Sequence, residues 1–198
     1  MPEKFVADLE HVREVTVSGT ADLHYWRKRL QEEGLTPSET DGAARILLTA
    51  ADARFRGVHF RELSVCVFAG DGAFLVQAFN SVRFFAWVER VIFKTPYTFA
   101  RVAIDAAAIR SEMVEAHCGP RKAGPTEVDG FDGPVYLPNG RWFRAHIAGL
   151  TERIAFDPAR DTFQTTLAPL LESRFTPREW HLRRDARHAK GNTLPRRA

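Results

Sequence analysis

Only two cysteines occur in the 198 residues, Cys66 and Cys118, and neither sits in a Cys-x-x-Cys or paired-histidine spacing. A zinc site and a disulfide framework are therefore not expected, and a reduced, cytoplasmic setting fits such sparing use of thiols. No stretch approaches the roughly 18 apolar residues of a membrane span. The start, Met1-Pro2-Glu3-Lys4, is not a basic segment leading into an apolar one, so the expectation is no secretory leader and no membrane partner. A Gly-x-Ser-x-Gly nucleophile turn is absent. So is a glycine-rich phosphate loop, because the glycines between 119 and 140 are interrupted by prolines and open no helix. His59, His146, His181 and His188 are scattered without metal spacing. There is no internal repeat and no low-complexity block. With no cofactor motif and no metal set, the chain is expected to work without either.

What is present is ordinary globular material. Apolar residues make up 44% and charged residues 27%, and fifteen Phe with four Trp supply bulky core. Residues 1–198 suit one domain, long enough to bury a core without disulfides. The net charge of +3 is unevenly spread. From Arg174 onward eight Arg/Lys face two acids, so that segment carries +6 and the remainder −3. A basic C-terminal segment from about 174 reads as a solvated tail, or as a docking site for nucleic acid or an acidic partner. It lacks the interleaved aromatics of single-strand binders, which argues against nucleic acid.

Periodicity supplies the elements. Glu14–Ser18 alternates as a strand. Thr20 or Asp22 caps a helix that Gly34 closes, with Leu23, Trp26 and Leu30 at helical spacing. Ala44–Ala50 reads as a strand, and Glu62–Phe68 with Ala73–Phe79 as a hairpin turning at Gly70-Asp71-Gly72. A helix follows from Ser81 to Phe93, with Phe84, Phe85, Val88, Val91 and Ile92 as its buried face. Arg83, Trp87, Arg90 and Lys94 share another face, either solvated or an anion site. The helix stops before Pro96. Thr98–Ile104 and Ile109–Glu115 resume as strands, and 119–140 reads as a loop with a short strand at Val135–Leu137. Arg141–Ile147 and Glu152–Phe156 form a late hairpin, Thr165–Ser173 a short helix, and Glu179–Arg183 a last strand. Strands following strands predict an α+β fold: a mostly antiparallel sheet or β-barrel with a few packed helices.

The segment Gly57–Asp105 resembles the acetoacetate decarboxylase-like superfamily, as a divergent branch. The residues that carry the likeness are Phe60-Arg61-Glu62 at a strand head, the turn at Gly70–Gly72, Arg90 on the helix, and Pro96 before a strand. A strand, Thr20 and a helix at the start fit loosely, as does Leu167-Ala168-Pro169-Leu170. The resemblance covers most of the chain but is specific over about Phe60–Asp105. It implies a cone-like β-barrel with an internal pocket. In that family a lysine directly after the motif proline forms a Schiff base with the keto substrate, and a second lysine beside it lowers its pKa. Here the two positions are Tyr97 and Thr98. The family's Glu after the Arg is Val91, and its early, carboxylate-binding Arg corresponds to Gly19. Glu62 remains.

These readings define the candidates. Glu62 is the acid/base, because a carboxyl turned into a barrel should titrate high. Tyr97 is the hydrogen-bond donor to a carbonyl or carboxylate. Arg90 is the anion partner, with Arg83 and Lys94 beside it. Lys94 is also the one lysine close enough to Pro96 to stand in for the missing one. The expected activity is binding or acid/base, lyase-like transformation of a small organic acid or carbonyl compound without a Schiff base. The alternatives are a non-catalytic binding module and a nucleic-acid or acidic-partner binder. A homo-oligomer is compatible with an apolar outer barrel surface.

Overall fold

The computed structural model describes residues 5–122 and 124–196. Among them fourteen strands surround three short helices. The strands are β1 (Phe5–Asp22), β2 (Glu39–Thr40), β3 (Ala43–Phe55), β4 (Val58–Ala69), β5 (Gly72–Asn80), β6 (Tyr97–Phe99), β7 (Val102–Asp105), β8 (Ala108–Ser111), β9 (Val114–His117), β10 (Thr126–Tyr136), β11 (Arg141–Ala155), β12 (Thr162–Thr165), β13 (Thr176–Gly191) and β14 (Leu194–Pro195). The helices are α1 (Leu23–Gln31), α2 (Arg83–Val91) and α3 (Ala168–Glu172). No helix of the described residues is long and apolar enough to cross a membrane.

The main sheet runs β1-β13-β11-β10-β5-β4-β3-β2, and β3 also pairs with β1, so the strand bonding returns on itself. Most neighbours are antiparallel, whereas β5 meets β10 and β6 in parallel. A second sheet, β12-β9-β8-β7, stands apart. One face of the ring carries Val15 and Val17 of β1, Ile46 and Leu48 of β3, Leu63 and Val65 of β4, and Trp180 of β13. These pack with Trp26 and Leu30 of α1 and with Ile109 of the small sheet. That is the apolar core. The alternate residues face the other way, and on β1 and β4 they include Glu14, Thr16, Glu62 and Cys66.

Local chemistry explains the elements that the sequence anticipates. Asp22 caps α1 by accepting the Tyr25 N–H at 2.7 Å, and Gly34 takes the left-handed conformation that ends the turn (φ 66°). The β4–β5 hairpin turns at Gly70 (φ 58°), with Ala69 paired to Gly72.

Several expectations need correction, the late hairpin of Arg141–Ile147 and Glu152–Phe156 among them, since β11 is one strand over that stretch. Residues 126–136 form β10 rather than a loop, because backbone pairing to β11 along its whole length outweighs the local Gly and Pro signals. The predicted helix Thr165–Ser173 shortens to α3, with β12 taking Thr162–Thr165. Thr98–Ile104 splits into β6 and β7, which belong to different sheets.

The basic C-terminal segment is likewise no solvated tail. Its strand is not Glu179–Arg183 but β13, which sits between β1 and β11. Four of its eight cations find carboxylates among the described residues: Arg183 pairs with Glu14, Arg187 with Asp8, Lys190 with Glu89 and Arg196 with Glu33.

The last correction concerns α2. Its expected buried face is turned partly outward: Phe84 is 64% exposed and Ile92 57%, and Val91 is exposed as well. Ser81 does not cap it; its hydroxyl accepts the Arg61 N–H instead. What faces inward is Ala86, with Phe85 edge-on to Phe60 at 5.3 Å and Glu89 paired with Lys190. Lys190 and Glu89 are each less than a fifth exposed, so their ion pair favours this rotation of the helix.

Candidate functional site

One register row crosses the inner face. Thr151 of β11 pairs with Arg183 of β13, and Arg183 with Glu14 of β1. Glu14 pairs with Ala51 of β3, Ala51 with Glu62 of β4, and Glu62 with Asn80 of β5. Directly opposed residues in a ladder point to the same side. The row therefore lines up two carboxylates with a single methyl group between them.

Glu62 is held at both oxygens. Tyr97 donates its hydroxyl to Oε2 at 3.0 Å, and Asn80 donates its amide to Oε1 at 3.1 Å. Burial raises the Glu62 pKa above the ordinary carboxylate range, helped by the negative charge of Glu89. Lys190, the Tyr97 bond and His188 pull the other way without winning. The Tyr97 hydroxyl is pushed well above its usual value by burial and by Glu62, so it stays a donor. Burial likewise pushes the Cys66 thiol up to about 12, which makes it inert as a nucleophile. Glu62 and Cys66 lie deep enough for these shifts, yet neither is sealed from solvent. The two facts agree if the residues border interior space rather than packed core.

Lys190 comes from the far side of the ring. Its ammonium meets Glu89 Oε2 at 2.5 Å and lies over the rings of Phe143 (4.7 Å), Phe93 (5.1 Å) and Tyr97 (5.8 Å). Cation–π attraction and one carboxylate replace its water shell. Thr95 donates to the same Glu89 oxygen at 2.8 Å.

Glu14 is 3% exposed. Burial opposes its ionisation, but His188, Arg183 and Thr16 together hold its carboxyl below the ordinary range. Its Oε1 receives Arg183 and the Thr16 hydroxyl. Its Oε2 lies 3.0 Å from His188 Nε2, a charge contact without full hydrogen-bond alignment. His188 and Lys190 reach this face because the strand slips at a bulge. His11 and Asp185 face one another there in left-handed conformations (φ 54° and 51°), and the β1–β13 register shifts beside them. A bulge switches which side chains point in. Arg183 before it and His188 after it, of opposite parity, both touch Glu14.

The structure thus brings Glu62 and Tyr97 together. It does not bring Arg83, Arg90 or Lys94 to them: all three are exposed. Arg83 lies over Phe99 at 4.7 Å, and the Lys94 carbonyl receives the Asn139 amide. Lys94 is exposed, and the cation over the Tyr97 ring is Lys190. Gly19 is not a vacant place for an arginine, since a Cβ there would stand 2.2 Å from the Thr176 carbonyl. Sequence reasoning missed Glu14, Asn80, Glu89, His188 and Lys190. No local signal marks them, because a polar inner face alternates as a solvent face does.

An open cleft of about 540 Å³ lies elsewhere, lined by Thr20, Asp22, His24, Arg27, Arg174 and Thr176 among others. It shares no residue with the Glu62 cluster, where the buried carboxylates and Lys190 gather. We therefore take the inner face as the site.

No family model and no curated protein matches the chain. Solved structures do match over nearly its whole length. One of acetoacetate decarboxylase is 12% identical, with 96% of this chain and 90% of that chain covered and a TM-score of 0.57. The enduracididine biosynthesis enzyme MppR complexed with pyruvate is 13% identical, with coverage of 93% and 87% and a TM-score of 0.56. An acetoacetate decarboxylase-like enzyme from Sphingomonas wittichii RW1 is 11% identical, with coverage of 96% and 93% and a TM-score of 0.53. The chain has the acetoacetate decarboxylase-like fold, in a divergent form.

Proposed function

We propose that this protein binds a small organic acid or carbonyl compound inside its ring of strands, read as a cone-like barrel, and acts on it by acid/base chemistry without a Schiff base. The carrying observation is Glu62: a carboxyl of raised pKa, held by Tyr97 and Asn80, and not sealed from solvent. A raised pKa favours the protonated form of Glu62, the form that can donate a proton. Tyr97 orients it and offers a polar contact to a ligand oxygen. Lys190 takes over from Arg90 as the anion partner, because a ligand carboxylate can share its ammonium with Glu89. The likeness in fold to a protein seen with pyruvate supports that ligand size.

Two observations argue against a Schiff base. The positions after Pro96 hold Tyr97 and Thr98. Lys190 is tied into an ion pair, and an ammonium has no lone pair with which to attack a carbonyl. Calorimetric titration of pyruvate into the wild type, Glu62→Gln and Tyr97→Phe tests the reading. Saturable binding, weakened by Tyr97→Phe, with turnover lost in Glu62→Gln, is expected. Binding with unchanged affinity in Glu62→Gln and no turnover in any form would make the protein a non-catalytic module. No binding at all would reject the reading.

A further inference from the structure

Glu62 is not the only proton-handling group on the inner face. Glu14 and Glu62 flank Ala51 in one register row, so their strands stand about 10 Å apart. His188 of β13 lies on the same face: it contacts Glu14 at 3.0 Å and stands within electrostatic reach of Glu62. The two carboxyls differ in kind. Glu14 is closed in by Arg183 and Thr16, whereas Glu62 meets only the neutral donors Tyr97 and Asn80. The Glu14–His188 contact also leaves both facing atoms short of a complete hydrogen bond. The charged groups around His188 are Glu14 of β1, Glu62 of β4 and, on β13 itself, Arg183 and Lys190. A buried carboxylate behind an imidazole fixes which ring nitrogen keeps its proton. Glu14 faces Nε2, which leaves Nδ1 as the ring nitrogen turned away from it.

We infer that His188 is the proton-transfer group of this site, with Glu14 as its positioning residue, and that the reaction is proton exchange at the carbon next to a ligand carbonyl. The inference rests on the proposed binding of a small carbonyl compound. In the forward step the C–H bond adjacent to the carbonyl breaks, and its proton passes to His188 Nδ1. The electron pair forms the carbon–carbon double bond of an enol, and the carbonyl oxygen takes the proton of Glu62. Reversal returns the keto form. The cycle needs no oxidant, reductant or second substrate. In deuterated water the returning proton is a deuteron.

The experiment follows the methyl protons of pyruvate by NMR in deuterated water with the full-length protein. The wild type should accelerate their exchange over buffer. His188→Gln should lower the rate at least about 100-fold, the usual weight of a positioned acid or base, with pyruvate affinity kept within about threefold. Added imidazole should restore part of the rate in His188→Gly, which a merely structural histidine would not allow. Glu14→Gln should lower kcat with KM unchanged; if that variant does not fold, the His188 variants carry the test. Bound pyruvate without accelerated exchange, or full exchange in His188→Gln, would overturn the inference and leave the binding reading standing. Absence of pyruvate binding would remove both.

Discussion

Tyr97 and Glu62 share a hydrogen bond of 3.0 Å in which the phenol donates to the carboxylate. The bond favours the ionised form of Glu62 against the burial that raises its pKa. Tyr97→Phe should therefore raise the Glu62 pKa further and cost about 1 kcal/mol of stability. Carboxyl-carbon NMR titration of wild type and variant checks the direction. A Glu62 titration that does not move would disconnect the two residues.

The two carboxylates flanking Ala51 should give opposite pH signatures. The folded-state pKa of Glu62 is raised, so its neutral form supports the fold at low pH, and that support is lost as pH rises through the folded pKa. Relative to wild type, Glu62→Gln should gain melting temperature from pH 4 to pH 8. The folded-state pKa of Glu14 is lowered, so its contribution is full above the ordinary carboxylate range and is lost as pH falls through the folded pKa. Glu14→Gln leaves the buried Arg183 with only the longer contact to Asp129 at 3.5 Å, at a cost of about 3 kcal/mol at pH 7. That deficit should shrink in acid. Parallel pH curves for the two variants would contradict the assignment.

Ala51 keeps the two carboxylates apart with only a methyl group between them. Ala51→Leu should fill the gap and abolish pyruvate binding while every charged group stays in place. Overpacking costs about 1–3 kcal/mol, which thermal unfolding would register alongside calorimetry. Retained affinity would move the ligand away from this row.

Much of the ring was legible before any coordinates, and the reason is local. The Gly70-Asp71-Gly72 turn, the Asp22 cap and the apolar alternation of β3 and β4 are signals confined to a few residues. Glu62 and Tyr97 were found through the resemblance. His188 and Lys190 are not legible, because a bulge whose two facing residues, His11 and Asp185, stand 174 positions apart sets their parity, and because Lys190 sits in a segment whose net charge reads as a tail. The orientation of α2 was hidden for a related reason. Its apolar stripe points to the core by periodicity, yet the Glu89–Lys190 pair, made by residues a hundred positions apart, favours a rotation that turns part of the stripe outward.

The position of β13 in the ring carries its own prediction. A chain ending at Phe175 loses the strand that joins β1 to β11. It should lose cooperative thermal unfolding altogether, where removal of a solvated tail would leave the transition unchanged. Circular dichroism melting distinguishes the two.

The central claim is an acid/base site that works without a covalent amine. Treating the protein with pyruvate and borohydride and weighing it by mass spectrometry tests this most directly. The account predicts saturable pyruvate binding and an unchanged protein mass. A reduced pyruvyl adduct on Lys190 or Lys94 would contradict it.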